Sequence, residues 1–162
     1  VLLLNLPPNK EGKLSEADIR SLRGFRQLYA TTFTDNLLAK AKVTCALSEG
    51  KGRNVIDDNY DTSVRPKMKD GKAVFSFKLN KPATFNVLSV QEDIRKGQRV
   101  EKFSLEVKDA KGNWKKVTEG TTVGHKRLLK FPVQTAKEVR LIISEVRAVP
   151  AISEIGLYRL RD

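Results

Sequence analysis

The chain has 162 residues, of which 40% are hydrophobic and 31% are charged. This balance is that of one globular domain, or one domain with a short attachment, and it excludes a disordered or fibrous chain. A single cysteine and a single histidine exclude a disulfide framework and a multi-histidine metal cluster. No apolar run approaches the roughly 20 residues that span a membrane.

The formal net charge is +12, from 31 basic and 19 acidic residues. A basic balance raises nucleic acid as a partner. Most of the excess, however, alternates with apolar residues, which is typical of the solvated face of a sheet. Typical members are Lys102, Lys108, Lys115, Lys116 and Lys130. A surface for nucleic acid or anionic polysaccharide rests on charge alone, so we expect no nucleic-acid and no membrane partner.

Residues 1–35 carry the pattern of one strand–helix unit. The apolar run 1–6, ended by Pro7-Pro8, indicates a strand buried on both faces. Ser15 is a helix N-cap residue, and apolar residues then recur at helical spacing as far as Phe33. The spacing predicts an amphipathic helix over 15–33. Because such a unit is unstable alone and the chain begins without Met, we interpret it as the end of a larger unit.

After Asp35 the periodicity changes from helical to alternating. Residues 48–72 are rich in Gly, Asn and Asp and are predicted to form one long loop. The alternating segments are 43–47, 75–79, 85–90, 103–108, 114–117, 128–131, 139–143 and 152–160. Eight short strands with no helix between them predict a mainly β fold, an all-β sandwich over 36–162.

The segment 54–62 concentrates oxygen donors. Its oxygen-bearing side chains include Asp57, Asp58, Asn59, Asp61 and Thr62. Hard cations such as calcium take six to eight oxygen ligands. A polar turn built on Asx hydrogen bonds uses the same residues. The residues alone leave both interpretations open.

The stretch from residue 36 to the end resembles a discoidin-type, galactose-binding-like jelly roll, the F5/8 type C fold shared with many carbohydrate-binding modules. The resemblance rests on Asp57, Asp58, Asn59 and Thr62 in the loop and on Ser153-Glu154-Ile155 in the last strand. It implies a structural calcium ion. The residues that it assigns to this ion are Asn54, Asp57, Asn59, Thr62 and Glu154. The carboxylates come from Asp57 and Glu154, and the asparagines offer backbone carbonyls. Where the family usually has a small residue, often Gly, this chain has Asp58.

A second resemblance covers both parts of the chain. The run Leu2-Leu3-Leu4-Asn5-Leu6-Pro7-Pro8 is similar to the end of the catalytic barrel of bacterial and plant α-L-fucosidases, glycoside hydrolase family 29. The segments 90–100 and 120–127 resemble parts of their C-terminal domains. The resemblance implies that 1–35 is the last strand–helix unit of a TIM barrel with its linker, and that 36–162 is the accessory sandwich. It implies the upstream barrel as a partner and export to a secreted or periplasmic location.

Glycoside hydrolysis needs two carboxylates across the scissile bond. The resemblance places them on upstream barrel strands, and adjacent carboxylates such as Glu92-Asp93 point to opposite faces of a strand. We therefore assign no catalytic residue and expect this chain alone to be inactive.

Polar residues in the predicted loops would form a ligand site at one end of the sandwich. Its candidate carbohydrate-binding residues are Tyr60, Arg95, Arg99, His125 and Arg127. Ion pairing with Glu92, Asp93, Glu145 or the barrel would explain the arginines equally well. Trp114 is interpreted as a packing residue.

Two functions remain open. One is a non-catalytic accessory domain that supports a fucosidase-like barrel and contacts glycan. The other is an autonomous module that targets an enzyme to fucosylated or galactose-containing glycans. The absence of a Trp after Thr62 and of an aromatic platform favours the first. The predicted helix also carries an apolar stripe without a partner, which predicts weak self-association; its residues are Ile19, Leu22, Tyr29 and Phe33.

Overall fold

The computed structural model describes residues 5–161. One helix, α1 Glu16–Phe33, precedes the strands. The strands in chain order are β1 Lys42–Thr44, β2 Leu47–Glu49, β3 Arg65–Pro66, β4 Ala73–Glu92, β5 Val100–Lys108, β6 Trp114–Thr121, β7 Arg127–Val146 and β8 Ile152–Tyr158. Two short 3-10 turns cover Gly52–Val55 and Ile94–Lys96. The predicted strand over 1–6 lies mostly outside the described residues, and its described end, Asn5 and Leu6, is not a strand.

Two long antiparallel strands, β4 and β7, connect the layers of the sandwich. The first part of β4 pairs with β1 and with the last part of β7, which continues to β5 and β6. The last part of β4 lies between the first part of β7 and β8. The β4–β7 register shifts between Lys78 and Ala83, where the strand passes from one layer to the other. The strands β2 and β3 form a separate two-stranded sheet.

The core lies between these layers. Along β4 the residues 73–79 alternate between buried and exposed, as expected of a sheet with one solvated face. The largest side chains without contact to solvent include Phe75, Phe77, Phe85, Phe103, Leu105, Leu141, Ile143 and Leu157. The mainly β, jelly-roll prediction is confirmed.

The strand boundaries differ from the prediction in three ways. The segment predicted as one strand at 43–47 is divided between β1 and β2, which belong to different sheets. The segments predicted as separate strands at 75–79 and 85–90 belong to the single strand β4, and those at 128–131 and 139–143 belong to β7. The predicted long loop 48–72 is not structureless, since it contains most of β2, all of β3 and a 3-10 turn. Val55 and Val64 within it are fully buried, so the segment is anchored to the core.

Helix α1 is joined to the sandwich at its C-terminal end. Ser15 caps its start as predicted, with the Ser15 hydroxyl accepting from the Asp18 backbone N–H. Thr32 is its one buried residue. The Phe33 ring lies 5.0 Å from the Tyr158 ring of β8, centroid to centroid. No helix within residues 5–161 has the length and apolar content to cross a membrane.

Candidate functional site

The buried carboxylate of Glu92 connects two loops at one end of the sandwich. It terminates β4 and is 2% exposed. Its Oε1 accepts from the backbone N–H groups of Arg99, at 2.8 Å, and Val100, at 3.0 Å. Its Oε2 accepts from the Gly124 N–H at 3.0 Å. Glu92 therefore fixes the main chain of both loops that carry the predicted residues Arg99 and His125.

Arg95 joins a third loop to this end. Its Nε lies 2.7 Å from Asp93 Oδ1, and its Nη1 lies 3.0 Å from Asp61 Oδ1. Its Nη2 also donates to the carbonyl oxygens of Tyr60 and Asp61. The hydrogen bond and charge of Arg95 hold the pKa of the Asp93 carboxyl below its usual value. Arg95 thus makes the ion pair with Asp93 that was the alternative to a ligand-binding role.

The other predicted sugar-binding residues are placed unequally. The rings of Tyr60 and His125 face each other at a centroid distance of 6.5 Å and a tilt of 31°. The Arg99 guanidinium donates to the Val149 carbonyl at 2.7 Å. Arg127 is exposed at the first residue of β7. Tyr60, His125 and Arg95 are brought together, while Arg99 is engaged with another loop.

A polar cleft of about 520 Å³ opens beside Arg95. Its lining residues are Glu49, Asn54, Asp61, Thr62, Ser63, Asp93, Arg95 and Lys96. Carboxylates, an amide, hydroxyls and cations all face this cleft, so it offers both donors and acceptors to a hydroxyl-rich ligand.

Most of the predicted metal-binding residues converge on the Thr62 hydroxyl. Its Oγ1 lies 2.9 Å from Asp57 Oδ2, 3.1 Å from the Asn59 carbonyl and 3.4 Å from the Asn54 carbonyl. Asp58, which stands where the family usually has a small residue, adopts a left-handed backbone with φ of 57°. Asp tolerates this conformation better than most residues, so the loop keeps its tight turn.

Glu154 approaches the same loop from β8. Its Oε2 accepts from the Asp58 N–H at 3.2 Å, and its Oε1 accepts from Asn36 Nδ2 at 3.4 Å. Burial, with the charges of Asp57 and Asp58, raises the pKa of the Glu154 carboxyl to about 8. Within residues 5–161 no group of three or more His, Cys, Asp or Glu has metal-binding geometry. A cation here would therefore depend on carbonyl and hydroxyl oxygens besides the two carboxylates, a donor set that suits a hard cation.

Trp114 packs against cations on the outer face of the sheet. The Arg140 guanidinium lies 4.3 Å from the ring centroid, and the Lys108 ammonium lies at 5.7 Å. Arg140 also pairs with Glu106 at 2.6 Å. These cation–π contacts hold the ring against neighbouring strands, as expected of a packing residue.

A second region, on α1, exposes large apolar side chains. We call Phe25, Leu28 and Tyr29 the helix stripe; their exposed fractions are 47%, 49% and 53%. The rings form a chain with centroid distances of 6.3 Å from Phe25 to Tyr29 and 5.2 Å from Tyr29 to Phe33. The Phe33 ring then contacts β8. A contiguous exposed apolar surface of this kind marks an interface.

The fold and the loop end, by which we mean the end of the sandwich that carries Glu92, Arg95 and His125, together define a jelly-roll β-sandwich domain. Residues 39–155 match the family model for the F5/8 type C domain, and the chain belongs to this family. It is 36% identical to Alpha-L-fucosidase 1 of Arabidopsis thaliana over 98% of this chain and 33% of that protein.

Solved structures extend this similarity. The crystal structure of SpGH29 has a TM-score of 0.91 and 30% identity, over 99% of this chain and 36% of that one. A GH29 fucosidase of Ruminococcus gnavus, solved in complex with fucose, has a TM-score of 0.83 and 32% identity, over 99% of this chain and 34% of that one. The chain thus spans about a third of the length of these relatives and corresponds to the F5/8 type C accessory domain of fucosidase-like proteins.

Proposed function

We propose that this chain is a non-catalytic domain that supports the catalytic region of an α-L-fucosidase-like glycoside hydrolase. The helix stripe is the observation that carries the proposal. Fully burying an exposed apolar side chain is worth about 1.5–3 kcal/mol, and Phe25, Leu28 and Tyr29 each have about half of this still to gain, so a partner surface for them is expected. The helix lies outside the F5/8 type C match, which begins at residue 39, but within the 98% of the chain that is similar to the plant fucosidase. The helix is therefore shared with fucosidase relatives and is not a feature of the F5/8 type C domain alone.

The test uses the longer protein and this chain side by side. Phe25→Ser combined with Tyr29→Ser should lower the melting temperature of the longer protein and separate its unfolding into two transitions. The same pair should leave the melting temperature of this chain unchanged. Gln27→Ser, on the same exposed helix, is the control and should change neither. If the double variant leaves the longer protein with one unshifted transition, the supporting role is wrong.

The inactivity of this chain has its own test. A chromogenic α-L-fucoside should show no turnover above background with this chain. Three carboxylates line the polar cleft, but Asp61 and Asp93 pair with Arg95, and Glu49 pairs with Arg65. They are therefore held in ion pairs and not as a nucleophile and an acid across a scissile bond. Turnover that a single substitution in this chain abolishes would contradict the assignment.

A second function, glycan binding at the loop end, is favoured by the Tyr60–His125 ring pair beside the polar cleft. An exposed ring next to hydrogen-bonding groups suits the apolar face and hydroxyls of a sugar. Calorimetric titration with fucose and with galactose should give binding that Tyr60→Ala removes. Tyr29→Ala is a matched control, since Tyr29 and Tyr60 are 53% and 52% exposed. Equal loss in both variants, or no binding at all, would contradict this function.

We also propose that a calcium ion joins the 54–62 loop to β8. Asp57 and Glu154 would supply carboxylates, and the Asn54, Asn59 and Thr62 oxygens would complete the set. When bound, the ion supplies positive charge that offsets the repulsion between Glu154 and its acidic neighbours. Calcium at about 100 times its Kd should stabilise the chelator-treated protein by about 2.7 kcal/mol.

The metal test compares two threonine variants. Thr62→Val should abolish the calcium-dependent rise in melting temperature, and Thr84→Val, at a Thr pair remote from the loop, should preserve it. An unchanged melting curve of the wild-type chain with and without calcium would mean that the segment is a polar turn only. Export to a secreted or periplasmic location stays a prediction.

A further inference from the structure

A cavity of about 650 Å³ lies where the end of α1 meets the tail that follows β8. Its lining residues are Ala30, Thr31, Thr32, Thr34, Asp35, Leu37, Arg159 and Arg161. The cavity is at the opposite end of β8 from Ile152, so it is separate from the loops around Arg95 and Glu92. Two arginines against one acid make it positively charged.

The tail that carries the arginines is held in place by a buried amide. Asn86 of β4 is 2% exposed. Its Nδ2 donates to the Leu160 carbonyl at 2.9 Å, and its Oδ1 accepts from the Leu160 N–H at 2.8 Å. Both backbone groups of Leu160 are bonded to Asn86. The main chain of the flanking residues Arg159 and Arg161 is therefore held beside the cavity. This main chain is preorganised, with the Arg159 side chain half-buried and that of Arg161 exposed.

The charge of Arg159 is not compensated within the described chain. Its Nη1 is shielded from solvent and has no hydrogen-bond partner among residues 5–161. Neither Arg159 nor Arg161 makes an ion pair with an acid in that range, although Asp35 lines the same cavity. A guanidinium delocalises its charge over all three nitrogens, so an anion that contacts its cavity side would neutralise the whole group.

Two of the three threonine hydroxyls of the cavity are engaged within the helix. Thr31 donates its hydroxyl proton to helix carbonyls at Gln27 and Leu28, and Thr34 donates to the Ala30 carbonyl. The side-chain donors left for a ligand are the guanidinium N–H groups and the buried Thr32 hydroxyl. Guanidinium N–H groups, arranged as a planar fork, select a carboxylate or another oxyanion.

We propose that this cavity is an oxyanion site and that its ligand is a carboxylate side chain of the catalytic region of the longer protein. The inference rests on the proposed supporting function. The cavity is lined by Ala30, Thr31 and Thr32, which directly follow Tyr29 of the helix stripe, so a surface that covers the end of the stripe lies next to the cavity as well. Charge complementarity favours an acidic group on that surface, because the cavity carries an excess of positive charge.

The first experiment asks whether the site binds an anion in this chain. Acetate and sulfate are added at constant ionic strength against chloride, while backbone amide NMR shifts near Arg159 and the melting temperature are followed. Arg159→Gln should weaken acetate binding at least tenfold, and Asp35→Asn should strengthen it severalfold. Arg23→Gln, with the same loss of charge on the exposed helix, should leave it unchanged. No acetate-dependent shift in the wild-type chain overturns the proposal.

The second experiment identifies the source of the anion. In the longer protein the carboxylate already fills the site, so acetate should have no effect there. Arg159→Gln should lower the melting temperature of the longer protein but not of this chain, where the guanidinium is uncompensated. A response to acetate of equal size in both proteins would mean that the site takes a free anion, which overturns the proposed carboxylate. The Phe25 and Tyr29 double variant tests separately whether the helix stripe packs on the catalytic region. A failure of the proposed supporting function can therefore be distinguished from a failure of the proposed oxyanion site.

Discussion

The loop end of the sandwich and the helix α1 differ in whether their charged and large apolar side chains have partners within the chain. At the loop end the buried carboxylates Glu92 and Asp93 are bonded within the chain, one to three backbone N–H groups and the other to Arg95. On α1 the Phe25 and Tyr29 rings are about half exposed. At its end the Arg159 guanidinium lacks a partner among residues 5–161.

This difference separates what folds the domain from what it offers to another surface. A buried charge is tolerated only where it is hydrogen-bonded or paired. The partners of Glu92 and Asp93 lie within the chain, so the loop end needs no other surface to stabilise its buried charges. Exposed aromatic rings and a guanidinium without an ion-pair partner are typical of a surface that binds another protein surface. Four substitutions sharpen or break this comparison, in order of decreasing effect.

Replacing Glu92 should cause the largest loss of stability. Glu92→Ala leaves the N–H groups of Arg99, Val100 and Gly124 without their carboxylate acceptor. We expect a decrease of about 3–5 kcal/mol in the free energy of unfolding, measured by urea denaturation. Glu101→Ala, which removes the exposed ion pair with Arg147, should cost less than about 1 kcal/mol. Equal effects would mean that the loop end does not depend on this carboxylate.

Gly156→Ala tests the close packing of β8 and should have the next largest effect. A Cβ at this position would lie 2.6 Å from the Tyr158 ring, the ring that receives Phe33 of α1. The ring must move, so we expect a loss of about 1–3 kcal/mol in thermal unfolding. Gly52→Ala, whose Cβ would meet only Val43 atoms from 3.6 Å outward, is the control. If Gly156→Ala were neutral, Tyr158 would not be held against its strand.

Local patterns predicted the helix and most strands, but not how the strands connect. Ser15 and the spacing to Phe33 define α1 because capping and periodicity act within a few residues. Residues 75–79 and 85–90 are predicted as two separate strands, and Pro82 lies between them. In the structure this segment is the exposed bend of β4, where the missing N–H of Pro82 costs little.

The site was predictable only in part, for a similar reason. The polar and aromatic residue types of the predicted loops indicated Tyr60, Arg95 and His125 as ligand candidates, and the structure brings these three together. The sequence did not predict that the Glu92 carboxylate joins two loops, because its partner Gly124 is 32 residues away and donates its backbone N–H, which no sequence pattern shows. The Arg159 cavity was missed because it requires the end of α1 to meet the tail after β8.

The ion pair between Asp93 and Arg95 should make stability depend on acid. Arg95 holds the pKa of Asp93 below its ordinary value, so the folded state binds the proton less readily than the unfolded state. The stabilisation is complete above the ordinary value of about 3.9 and is lost as the pH falls through the lower, folded-state pKa. Unfolding followed down to about pH 3 should show a smaller loss in Arg95→Gln than in the wild type. Arg147→Gln, an equal loss of charge, should follow the wild-type curve.

The smallest effect is expected within α1 itself. Gly24 lies on the helix, and a Cβ there would meet no described atom within 4 Å. Gly24→Ala should favour the helix locally by about 0.5–1 kcal/mol, because alanine loses less backbone entropy than glycine. If α1 is held only at its end, circular dichroism should show more helix while the melting temperature of the sandwich stays unchanged. A rise in that melting temperature comparable to the local gain would show that helix and sandwich unfold as one unit. In that case the helix stripe would be part of the domain core. The loop end and the helix would then no longer differ in whether their side chains have partners within the chain.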